Sequence, residues 1–142
     1  MRSRRLLITS FILVALVGAE LVLPAAALSP LRDYDRAERV ARRYLQVLSI
    51  RDQESYLAAK KRLSRLVSPE IQRSLFGEDR YTGTAVYPPR VTVLHCRGSI
   101  DGGKQFTFKM DLRIEYVGAN RNQMVTILVT IVDGVVTQTM RV

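Results

Sequence analysis

Apolar residues follow two different periods along this chain. From Ser29 to Phe76 they recur at three- and four-residue steps, and from about Tyr81 to the end they alternate. The first period marks amphipathic helices, and the second marks strands with one wet face.

The helical half divides into three. Ser29-Pro30 supplies an N-cap and a first-turn proline. Ala37, Val40, Ala41, Tyr44, Leu45 and Leu48 then form one apolar stripe. Ser49-Ile50-Arg51-Asp52 reads as a capping box or a short break. A second helix follows, with Tyr56, Ala59, Leu63, Leu66 and Val67 on one face. Ser68-Pro69-Glu70 opens a third, short helix, which Gly77 closes at the usual C-terminal glycine position.

In the second half, Val91, Val93 and His95 alternate with Thr92, Leu94 and Cys96. After the turn Asp101-Gly102-Gly103 comes the clearest strand. Phe106, Phe108, Met110, Leu112, Ile114 and Tyr116 face one way, and Gln105, Thr107, Lys109, Asp111, Arg113 and Glu115 the other. Residues 124–132 are apolar on both faces at several positions, which predicts a central strand. Asp133-Gly134 is a two-residue hairpin turn, and Val135 to Val142 closes the sheet. The predicted fold is α+β, with two to three helices packed on a curved four- to five-stranded antiparallel sheet.

The segment ahead of this domain is of another kind. Arg2, Arg4 and Arg5 precede an apolar run from Leu6 to Ala19, broken by Thr9 and Ser10. That is the layout of an export signal, with Ala25 and Ala27 as the small residues of a cleavage site. Leu6 to Leu28 would also make about 34 Å of helix, enough to span a bilayer. Ser3-Arg4-Arg5-Leu6-Leu7-Ile8 is similar to the twin-arginine export address, although arginines are common at any positive signal start. Residues 1–28 are thus a signal peptide or signal anchor, and 29–142 an extracytoplasmic domain. Retention in the cell membrane with the domain outside is the expectation. Secretion after cleavage following Ala27 is the alternative.

Charge narrows the partners only partly. The 142-residue chain has a formal charge of +9. Setting aside Arg2, Arg4, Arg5 and Glu20 leaves an excess of about seven positive charges on the domain. Such a surface suits anionic lipid, anionic wall polymer, nucleic acid or an acidic protein. Cys96 is the one cysteine, so no disulfide forms within the chain and the apolar core must hold the domain alone.

The order of elements, from Leu31 to Val142, resembles the nuclear-transport-factor-like cone, also called cystatin-like. The resemblance rests on topology: long helices, a short Ser68–Phe76 helix and a terminal meander. With an apolar segment in front, the chain is similar to the small envelope scaffold proteins of conjugative and type IV secretion machines. The resemblance implies a non-catalytic assembly role. Cone-shaped enzymes such as ketosteroid isomerases and scytalone dehydratases instead carry acids, histidines or tyrosines inside the pocket. Here the face that would line the pocket, Phe106 to Tyr116, holds no carboxylate. The pocket is expected to be filled.

Other candidate chemistry is sparse. His95 and Cys96 are neighbours on a strand and so point to opposite faces, which rules against a catalytic dyad. One Cys and one His also fall short of a zinc site. Lys60-Lys61-Arg62-Leu63-Ser64-Arg65 is the densest basic stretch of the domain, with Lys61 and Arg65 one helical turn apart. It lacks the interleaved aromatics of a nucleic-acid platform. The segments around Tyr81 and Tyr87-Pro88-Pro89-Arg90 have the composition of contact surfaces. The interaction surface is therefore sought at Lys60, Lys61, Arg65, Tyr81, Tyr87 and Arg90. No enzyme activity, metal or cofactor is expected. Envelope proteins are the expected partners, with self-association as a further option and membrane contact through the N-terminal segment. Nucleic acid is not expected, and a small-molecule ligand of the cone pocket is the alternative reading.

Overall fold

The computed structural model describes residues 25–83 and 89–142, the first five of them by backbone alone. Residues 33–142 form one compact unit. Among the described residues no helix is long and apolar enough to cross a membrane. Most of the Leu6–Leu28 segment lies outside the described residues.

Helix α1 spans Ala25–Tyr44 and contains Pro30. This corrects the predicted start at Ser29-Pro30. Alanines and a leucine ahead of Ser29 are strong helix formers, and they carry the helix past the proline, which merely withholds one N–H. Ala37, Val40, Ala41 and Tyr44 are buried, as the stripe predicts. A 3-10 turn, Leu45–Ser49, then redirects the chain.

Helix α2, Gln53–Leu63, starts with a complete capping box. The Asp52 carboxylate accepts from the Ser55 N–H at 2.8 Å, while the Asp52 N–H donates to the Ser55 hydroxyl at 3.1 Å. Helix α3, Pro69–Phe76, is capped by the Ser68 hydroxyl, which accepts from the Ile71 N–H. Gly77 ends it in the right-handed region, at φ −67, and not in the left-handed conformation common at that position. Glycine is needed there for space, because a Cβ would collide with the Arg73 carbonyl oxygen.

The four strands, β1 Pro89–Gly102, β2 Gln105–Tyr116, β3 Arg121–Val132 and β4 Val135–Arg141, pair antiparallel in sequence order. Asp133 and Gly134 both have positive φ, 51 and 79, as a type I′ turn requires. The predicted β2 face is buried: Phe106, Phe108, Met110 and Leu112 are at most 4% exposed. With Val125, Ile127, Val129 and Ile131 of β3 they pack against α1 as the main core. A smaller core of Tyr56, Ala59, Leu63 and Phe76 joins α2 to α3. Backbone bonds from Ser68 N to Val136 O and from Val136 N to Leu66 O, both 2.8 Å, tie the α2–α3 connection to β4.

One strand departs from the predicted alternation. Register shifts between Val93 and His95, making Leu94 the extra residue of a bulge. Beyond it the faces exchange. Cys96 joins Val91 and Val93 against the core, while His95 is exposed and pairs in register with Asp111.

Candidate functional site

The inner face of the sheet is filled only part of the way. Beyond Leu112, where Ile114 and Tyr116 follow, it opens into a cleft of about 430 Å³. Tyr44 from α1, Gln123 and Val125 from β3, and Thr139 and Arg141 from β4 help to line it. Arg141 belongs to this face because it pairs with buried Ile127. The expected filling therefore stops at Leu112, and the mouth is open.

The two tyrosine hydroxyls of the mouth are each paired with a neighbouring polar side chain. The Tyr44 hydroxyl donates to Thr139 Oγ1 at 3.5 Å, and the Tyr116 hydroxyl donates to Gln123 Oε1 at 3.3 Å. No carboxylate is among the lining side chains. The sequence offers an open pocket only as the alternative reading, because the residues that line the mouth come from several segments distant in sequence. The one available signal was Tyr116, a polar-tipped ring at the end of an otherwise apolar stripe.

Cys96 faces Glu38 and Arg42 of α1. Burial, and secondarily the Glu38 carboxylate, push its thiol pKa up, so the reactive thiolate is suppressed. His95 lies on the other face, as the dyad argument required, although the bulge exchanged which residue points inward. Among the described residues no three His, Cys, Asp or Glu side chains gather as metal ligands would.

The basic face is not one uniform patch. Lys60 reaches Asp79 at 3.9 Å, whereas Lys61 is exposed. Helix α2 ends at Leu63, so exposed Arg65 lies in the following turn and not one helical turn along from Lys61. Tyr81 is half-buried. Its ring centroid lies 5.9 Å from that of Tyr56, its N–H donates to Gln53 Oε1 at 2.7 Å, and its hydroxyl donates to the Ile50 carbonyl at 3.4 Å. Those bonds, with Tyr56 donating to the Glu78 carbonyl at 2.6 Å, clamp the post-α3 segment onto α2. Arg90 is exposed on β1, opposite Glu115 in register. Tyr87 lies outside the described residues. Ala25 and Ala27 lie in the first turn of α1 as described.

No protein-family model matches the chain, and no curated protein matches it. One solved structure is similar: the NMR solution structure of TraH, a protein assigned to transfer, from the Gram-positive conjugative plasmid pIP501. The match has a TM-score of 0.52 at 12% identity, and covers 76% of this chain and 92% of that one. At that identity the likeness shows a shared fold.

Proposed function

We propose that the chain is a non-catalytic assembly module of a cell-envelope machine for conjugative transfer or type IV secretion. Residues 1–28 tether it to the membrane, and the α+β domain works on the extracytoplasmic side. The observation that carries this reading is the fold-level likeness to TraH, a protein of a conjugative plasmid. The likeness covers nearly all of that chain, so it concerns a whole domain and not a shared hairpin. The order of three helices and a four-stranded meander, with α1 on the inner face, also fits the nuclear-transport-factor-like cone. Lys61, Arg65 and Arg90 are exposed and available to partners, while Lys60 and Tyr81 also serve the fold.

The test is crosslinking in donor cells, followed by recovery of the full-length protein from the membrane fraction. Other components of a transfer machine are expected among the crosslinked products. Recovery from the culture medium with a new N-terminus at Leu28 would contradict the tether.

A second reading is favoured by the mouth cleft. Its size lies within the range of small-molecule sites, so a secreted ligand-binding protein, or an isomerase- or dehydratase-like enzyme, would use it. General acid–base chemistry there would have to rest on tyrosine hydroxyls that are already paired. A raised melting temperature with small apolar ligands, abolished by Ile127→Trp, would favour this reading over the first.

A further inference from the structure

Two helix ends bring cations together over an apolar floor. Arg43 lies in the last turn of α1, and Arg62 in the last turn of α2. Both line one cleft of about 300 Å³, together with Gln46 of the 3-10 turn and with Leu63 and Leu66. Leu63 is 1% exposed and belongs to the smaller core, while Leu66 is half-buried beside it. Among the described residues, neither guanidinium is within ion-pair distance of a carboxylate. The ion pairs found there are Arg42–Glu38, Arg51–Asp52 and Lys60–Asp79.

Helix dipoles explain a cation at each C-terminal end. They do not explain why the two converge on one concavity that Gln46 and two leucines also line. Like charges gathered without a counter-charge repel, and an incoming anion would relieve that repulsion. The cationic line also continues along α1, where Arg36 and Arg39 are exposed at three- and four-residue steps before Arg43.

We propose that this cleft docks an acidic segment of a partner protein, presenting a carboxylate beside an aliphatic side chain. The guanidinium groups of Arg43 and Arg62 hold the carboxylate through charge-assisted hydrogen bonds. The aliphatic side chain rests on half-buried Leu66, behind which Leu63 closes the cleft from the core side. Two features favour a protein over other polyanions. The floor is aliphatic and offers no ring on which a base could stack. The site is also a concavity sized for one or two side chains, whereas a bilayer presents a broad surface. The proposal rests on the transfer reading only in taking the occupant to be a protein.

The test uses the full-length protein in detergent and a fluorescent 15-residue peptide of glutamate and leucine at helical spacing. Its arms are a glutamine-for-glutamate peptide, phosphatidylglycerol vesicles and a single-stranded oligonucleotide. The acidic peptide is expected to bind the wild type, and Arg43→Glu with Arg62→Glu to weaken it at least about tenfold. A lysine–leucine peptide should bind that double variant more tightly than it binds the wild type. Lys109→Glu with Arg113→Glu changes the charge equally on the outer sheet face, and should leave peptide affinity within about twofold. Equal losses in both double variants would reduce the effect to net charge and overturn the site. So would unchanged binding in Arg43→Glu/Arg62→Glu, or stronger dependence on these two arginines for the vesicle or the oligonucleotide. These outcomes are independent of a transfer assay, so the site can fail while the transfer reading stands.

Discussion

Gly98 lies beneath the ring of Tyr34. A Cβ added there would stand 2.6 Å from Tyr34 Cε2 and 2.7 Å from Phe108 Cε1. Tyr34 in turn packs on Phe106 and Phe108, with ring centroids 6.1 and 5.3 Å away. The missing side chain on β1 is what lets α1 lay an aromatic ring on the sheet. Gly98→Ala is expected to cost about 1–3 kcal/mol through overpacking. The cost should shrink in a Tyr34→Ala background, where the ring is gone. Equal losses in the two backgrounds, in denaturant titrations, would place the strain elsewhere.

The two faces of β2 make a sharper contrast. Leu112 is fully buried, so Leu112→Asp places an unpaired charge in the core and is expected to unfold the domain. Asp111 on the opposite face is half-buried and accepts from the Thr126 hydroxyl at 2.7 Å. Asp111→Ala should therefore cost about 0.5–1.5 kcal/mol, the worth of one hydrogen bond. Circular dichroism melts of the two variants distinguish them, and similar midpoints would reverse the assignment of faces.

The α2 cap predicts a dependence on acid. The Ser55 hydroxyl, and then its backbone N–H, hold the Asp52 carboxyl below its ordinary pKa. A carboxyl lowered by folding stabilises fully above its unfolded value of about 3.9, and loses that contribution as pH falls through the lower folded value. Asp52→Asn keeps a capping oxygen but cannot titrate. Its melting temperature should therefore fall less than that of the wild type between pH 5 and acid. Parallel curves would show that the cap carries none of the acid sensitivity.

Much of this architecture was legible in the residues, and the exceptions have physical causes. The β2 stripe from Phe106 to Ile114 was readable because one wet and one dry face impose strict alternation. The cap at Ser68 was readable because a side-chain oxygen must meet orphan N–H groups within three residues, whereas the box expected at Ser49–Asp52 lies one turn later, with Asp52 itself as the cap and Ser55 as its partner. The bulge at Leu94 was not readable, because a strand of mixed residues carries no local mark of an inserted position. The α1 start was misplaced because Pro30 suits a first turn so well that the helix-forming alanines before it were discounted. The Arg43–Arg62 cleft escaped notice, and an open mouth stood only as the alternative to a filled pocket, because both are made by segments distant in sequence. The densest basic run, Lys60 to Arg65, drew attention to one element, whereas the concave cationic site needs Arg43 from another.

Cys96 offers a check on the inner face of β1. Its thiol pKa is raised by burial and by Glu38, so alkylation by iodoacetamide at pH 8 should be slower than that of a free cysteine. Glu38→Gln should speed it. Reaction as fast as free cysteine in the folded protein would place the thiol on the outer face, and the bulge elsewhere.

The proposed role in transfer is open to a mating assay. The gene is deleted in a donor carrying it beside a transferable element, then restored in trans as the wild type. Transfer frequency is predicted to fall by orders of magnitude on deletion and to recover on restoration. Undiminished transfer from the deleted donor would contradict the claim.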